Sequence, residues 1–154
     1  MISNAAVLLA DDDDNFVTLM RLAFERGGLT NPLHSVRDGA EAIRYLKGEG
    51  KFSERNEWPL PTLLLLDLKM PLEDGFGVLS WMRSEPGLKR LPVVILSSSD
   101  ESRDIERAYD LGANSYALKP GGLEDLLEFL RRLEAWWLHV NRSARLDFSV
   151  TAAS

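Results

Sequence analysis

Asp11, Asp12, Asp67, Ser97 and Lys119 are the residues of this chain best suited to chemistry, and they stand at the ends of four short apolar runs. If those runs are strands of one sheet, three carboxylates, a hydroxyl and an ammonium meet in one crevice. Crowded carboxylates repel, and at least one pKa rises unless a cation intervenes. A hard, oxygen-ligated divalent ion relieves that repulsion, and a site of few carboxylates completed by water suits Mg²⁺. Such an ion leaves room for a phosphoryl group, whose charge it helps neutralise. Lys119 adds a compact positive charge and Ser97 a hydroxyl donor. A carboxylate is an established nucleophile that forms an aspartyl-phosphate. Asp67 is favoured for that role because it follows the most apolar, hence most central, strand candidate.

Taken singly, each residue also has a plainer explanation. An Asp after a strand is commonly a turn residue or helix cap, Lys-Pro a turn with a surface lysine, and Ser97-Ser98-Ser99 a loop. The aspartate run 11–14 suits a solvated cap favoured by the helix dipole. The joint reading draws its weight from recurrence at successive strand ends.

The elements that must position these side chains alternate along the chain. Apolar runs at 5–10, 32–36, 62–66, 92–96 and 114–118 read as strands. Segments of helical period follow each, and Gly27-Gly28, Gly48, Pro86-Gly87 and Gly112 close the first four. Asp13 or Asp14 serves as the first N-cap. The stretch 48–61 reads as a polar loop. The last helix starts near Leu123 and extends to Val140. The run 62–66 is almost purely apolar, as a strand covered on both faces should be. Five strands alternating with five helices predict a doubly wound α/β fold. Ligands of such sheets bind at the carboxyl ends of the strands, where the chemical residues lie.

Composition narrows the functional classes. The chain has 154 residues, a formal net charge of -6 and no cysteine. Disulfides, thiol catalysis and thiolate metal sites are excluded. The acidic balance, without any Lys/Arg run longer than a pair, argues against direct nucleic-acid binding. There is no signal-peptide pattern and no apolar stretch long enough to span a membrane, so a cytoplasmic location is expected.

The motifs Val7-Leu8-Leu9-Ala10-Asp11-Asp12, Leu64-Leu65-Leu66-Asp67-Leu68-Lys69-Met70-Pro71, Asp74-Gly75, Pro92-Val93-Val94-Ile95-Leu96-Ser97-Ser98 and Leu118-Lys119-Pro120 together resemble the receiver domains of two-component response regulators. The resemblance covers about residues 5–135 and implies a flavodoxin-like five-stranded parallel sheet with strand order 2-1-3-4-5. It implies phosphorylation of Asp67 by a histidine kinase. It implies Mg²⁺ held by Asp12, Asp67 and the Lys69 backbone carbonyl, with Asp11 assisting through water. It further implies that Lys119 contacts the phosphoryl group, that Ser97 moves towards it, and that Tyr116 changes rotamer as read-out. Without the family, Tyr116 is equally an ordinary strand aromatic. A cis Lys119–Pro120 peptide is also implied. Gly121 and Gly122 depart from the common pattern, which has an apolar or aromatic residue after Lys-Pro. The long 48–61 loop and extended last helix resemble stand-alone regulators paired with phytochrome-type histidine kinases.

The receiver is expected to span 1–140, followed by a tail at 141–154 that is too short for a helix-turn-helix output domain. Output then falls to a partner or to self-association. Trp136 and Trp137 on the last helix are candidates for a homodimer interface, or cover the domain's own flank. Three other functions compete. A dehalogenase-type aspartate phosphatase wants a second Asp two residues after the nucleophile, where Lys69 stands. A non-phosphorylated pseudo-receiver is disfavoured by the intact acidic and basic set. A flavodoxin-like cofactor binder wants a phosphate-cradling loop after the first strand, where the aspartates would repel phosphate.

Overall fold

The computed structural model describes residues 5–140, and side chains as far as Trp137. The expected tail at 141–154 lies outside the described residues, as does the side chain of Val140. Element order is β1 (Val7–Ala10), α1 (Asp14–Arg26), β2 (Leu33–Val36), α2 (Gly39–Lys47), a 3₁₀ turn (Gly50–Ser53), β3 (Leu63–Leu66), α3 (Gly75–Ser84), β4 (Val93–Ser97), α4 (Ser102–Asp110), β5 (Ser115–Leu118) and α5 (Leu123–Leu133). The strands form one parallel sheet in the order β2-β1-β3-β4-β5. This is the doubly wound arrangement that the alternation of strands and helices predicts.

Side-chain alternation divides the core in two. Leu8, Leu64 and Ile95 point to one face, where α2 and α3 bring Ala42, Tyr45, Val78, Leu79 and Met82. Val7, Leu9, Leu65 and Val94 point to the other, against Phe16 and Met20 of α1 and Leu126 and Leu130 of α5. β1, β3 and β4 are buried throughout, whereas the edge strands β2 and β5 are mostly half-buried. A strand with helices on both faces has no solvent side, so all-apolar Leu63–Leu66 becomes the middle of the sheet.

Three departures from the expected elements have clear causes. The 48–61 stretch is no purely polar loop. Phe52 is buried, its ring lies 4.9 Å from that of Tyr45, and Trp58 packs edge-on against both. Arg55 reinforces this cluster by donating to the carbonyls of Leu46 and Trp58. Two aromatics separated by charged residues carry no helix or strand period, so their joint burial was hidden. Secondly, the last helix does not run on as α-helix. It shifts to a π-helical segment at Glu134–Val140, where Trp137 packs onto the α1/α5 side of the core and Trp136 stays 55% exposed. Thirdly, the described residues contain no cis peptide, so the Lys119–Pro120 bond is trans, contrary to expectation. The trans bond, the ordinary isomer even before proline, already delivers Lys119 to the carboxylates described below.

Candidate functional site

Strand register builds the site. Ala10 pairs with Leu66, so Asp11 and Asp67 emerge side by side, one residue past the ends of β1 and β3. Backbone bonds continue the ladder: Asp67 N–H donates to Ala10 O at 3.0 Å, and Asp11 N–H to Val36 O at 3.0 Å. Ser97 pairs with Leu118, which puts Lys119 one residue further on, its N–H donating to Ser97 O at 2.8 Å.

The side chains converge as the strand ends require. Carboxylate oxygens of Asp11, Asp12 and Asp67 lie within 4.8 Å of one another. Lys119 Nζ stands 2.8 Å from Asp11 Oδ2 and 3.4 Å from Asp67 Oδ2, and lies over the Phe16 ring, 4.7 Å from its centroid. Asp11 and Asp67 are buried, whereas Asp12 is exposed. The aspartate run at 11–14 divides its labour. Asp13 caps α1 by accepting from the N–H groups of Asn15 and Phe16, and Asp14 pairs with Arg37 at 3.1 Å. Asp13 and Asp14 thus serve α1 and its surface, and Asp11 and Asp12 are left to the crevice.

Burial and charge set the electrostatics. Burial raises the Asp11 carboxyl, against the lowering influence of Lys119 and the Asp13 N–H. Asp67 is raised by burial and then by the Asp11 charge. Burial acts to lower Lys119, but the two carboxylates outweigh it and hold its pKa above the ordinary 10.5. Asp11 Oδ2 is buried and makes no hydrogen bond of good geometry; the Lys119 ammonium is near but poorly aligned. A buried oxygen in that state suits a cation ligand. With three hard oxygen donors converging, the residues fit a divalent ion such as Mg²⁺. Lys69 stands on the rim, exposed, and its N–H donates to Asp67 Oδ1 at 3.4 Å.

Gly75 supports Asp67 in a way the sequence pattern did not reveal. A Cβ there would lie 2.2 Å from the Asp67 carbonyl oxygen. Glycine is needed for this close approach of α3 to the strand end rather than for a special turn conformation. Ser97 is buried, its Oγ accepting from Ser99 N–H at 3.2 Å. Tyr116 is half-buried and donates its hydroxyl to Ser99 O at 2.7 Å. Ser99 and Asp104, joined at 2.6 Å, were not singled out by the sequence. Their spacing matches no motif, and Ser99 lay within a run read as loop.

Residues 7–131 match the response regulator receiver domain family. The chain is 38% identical over 137 residues to the probable methanogenesis regulatory protein FilR2 of Methanothrix harundinacea, covering 89% of this chain and 86% of that protein. It is 33% identical to the response regulator Rcp1 of Synechocystis, covering 86% of this chain and 88% of Rcp1. The solved Mn²⁺-bound form of Rcp1 superposes with a TM-score of 0.79 over 91% of this chain and 99% of that one. The phosphorylated cyanobacterial phytochrome response regulator RcpA gives 0.83 at 35% identity, covering 91% of this chain and 98% of RcpA.

Proposed function

The chain belongs to the response regulator receiver family, and from that premise we propose that it accepts a phosphoryl group on Asp67 from a phytochrome-type histidine kinase. The observation that carries this reading is the convergence of Asp11, Asp12 and Asp67 within 4.8 Å, with Lys119 across two of them. An Asp67 oxygen forms the new bond to phosphorus as the bond to the donor imidazole nitrogen breaks, and the leaving imidazole is protonated by solvent. Asp11, Asp12, Asp67 and the Lys69 carbonyl would hold Mg²⁺, which supplies charge neutralisation for the incoming phosphoryl oxygens. Lys119 Nζ passes from the carboxylates to a phosphoryl oxygen, and the Ser97 hydroxyl donates to another. Tyr116 reports the change.

The kinase pairing rests on the likeness to Rcp1 and RcpA, the latter described as a phytochrome response regulator. With it go a cytoplasmic location, a signalling rather than metabolic role, and output without direct nucleic-acid binding. We carry residues 1–140 as the receiver and Trp136 as the contact of a homodimer, because its ring is 55% exposed whereas Trp137 is held by the core.

The test is phosphotransfer. Purified histidine kinases and a small phosphodonor are offered in Mg²⁺, and the acid-stable fraction and intact mass are followed. The wild type gains one acid-stable, hydroxylamine-labile phosphoryl group, fastest from a phytochrome-type kinase, and Asp67→Asn gains none. Labelling of Asp67→Asn, or none of the wild type by any donor, overturns the assignment. Equal rates from unrelated kinases overturn the phytochrome pairing alone.

A further inference from the structure

Ser99 lies outside the phosphoacceptor set, yet four hydrogen bonds meet on it. Its N–H donates to Ser97 Oγ at 3.2 Å, and its carbonyl accepts from the Tyr116 hydroxyl at 2.7 Å. Its own hydroxyl accepts from Glu101 N–H at 3.3 Å and donates to Asp104 Oδ2 at 2.6 Å. One residue thus touches both members of the switch pair and the beginning of α4.

The start of α4 depends on this contact. Glu101, at the N-cap, makes no side-chain capping bond. Asp104, three residues on, reaches back past the cap to Ser99. This resembles the reciprocal bonding of a capping box, transferred to a residue of the preceding loop. A carboxylate accepting from a hydroxyl is among the stronger neutral-to-charged hydrogen bonds. Core packing offers α4 little alternative hold, because Ala108 is its only buried residue. Elements with few buried apolar contacts are the ones that shift at low cost.

We propose that Ser99 is a positioning residue that latches α4 to the switch pair through Asp104, a role that rests on the phosphoacceptor reading above. When Ser97 Oγ is drawn towards a phosphoryl group on Asp67, the Ser99 N–H follows it or loses its acceptor. By following, Ser99 shifts its hydroxyl relative to Asp104 and Glu101, and the first turn of α4 is re-registered. Tyr116 feels the same displacement through the Ser99 carbonyl. The coupling is reciprocal, so the latch also biases what binds at Asp67.

Beryllofluoride with Mg²⁺, a mimic of the phosphoryl group, tests this on the full chain, with amide hydrogen exchange read at the β4–α4 loop and first turn of α4. Loading changes exchange there by about fivefold or more in the wild type, the lower end of ordinary coupling between sites. Ser99→Ala and Asp104→Ala still load but each lose most of that change. The double variant loses no more than Ser99→Ala alone, because the Ser99–Asp104 bond is already gone in it. Ser99→Thr keeps the hydroxyl and restores the response. A full response in Ser99→Ala, additive losses in the double variant, or failure of Ser99→Thr to restore it overturns the latch. A wild type that loads without any change at α4 overturns the latch and leaves the phosphoacceptor reading standing. A wild type that takes up no beryllofluoride removes both.

Discussion

Burial and the adjoining Asp11 charge hold the Asp67 carboxyl above its ordinary pKa of 3.8, and burial does the same to Asp11. The folded chain therefore binds protons that the unfolded chain releases, over a window from 3.8 upward through the raised values. In that window stability falls as pH rises, because the native state binds more protons than the unfolded one. Lys119, raised above 10.5, acts in a separate window. Its contribution is complete below 10.5 and is lost as pH rises through its folded pKa. In chelator, thermal unfolding should show the melting temperature declining above pH 3.8, and Asp67→Asn should shallow that decline. Mg²⁺ at a hundred times its dissociation constant should add about 2.7 kcal/mol at neutral pH. Asp12→Ala should abolish most of that gain, while a wild type indifferent to Mg²⁺ would contradict the site. The meeting of Asp11, Asp12, Asp67 and Lys119 was legible because each follows a strand, and parallel strands deliver their ends to one place. The node at Ser99 was not legible, because its bonds depend on loop geometry and no fixed spacing announces them.

Among the elements, α3 is the one whose placement most directly sets Asp67, the proposed phosphoacceptor. Gly75 abuts the Asp67 carbonyl so closely that any side chain must push α3 or the strand end away. Gly75→Ala should cost about 1–3 kcal/mol as overpacking, and phosphotransfer to Asp67 should slow with it. Denaturant unfolding alongside labelling rates checks both, and normal values for both would show that the backbone yields freely there. The elements themselves were read to within a residue or two, since strand and helix periods differ so sharply. Places where the reading slipped lacked a period. The Phe52–Trp58 cluster is assembled from a charged stretch, and the wider π-helical turn at Glu134–Val140 replaces the α-helix that the apolar spacing predicts. The trans bond before Pro120 shows a different limit, because sequence resemblance carried over an isomer that this backbone does not use.

At the scale of the whole molecule, the sheet is finished on both edges by strands that are only half-buried, and the last helix leaves one large ring in solvent. If Trp136 is the contact between two copies, Trp136→Ala should shift a dimer to monomer in sedimentation with little loss of stability. Trp137→Ala should instead destabilise the fold, because its ring covers the α1/α5 core. A wild type that stays monomeric with and without beryllofluoride would remove the dimer. The remaining consequence concerns time. The acidic residues belong to β1 and β3, the inner strands, whereas the cation between them arrives on β5, an edge strand bonded only to β4. Inner pairings can form a folding nucleus without β5, and Lys119 is then expected to dock after the rate-limiting step. Lys119→Met should then accelerate unfolding and leave the refolding rate nearly unchanged in a stopped-flow chevron, the signature of a contact absent from the transition state. An equal slowing of refolding would place β5 inside the nucleus. On that expectation the reactive crevice closes last and opens first, which would let its ionic contacts exchange partners while the sheet beneath stays folded.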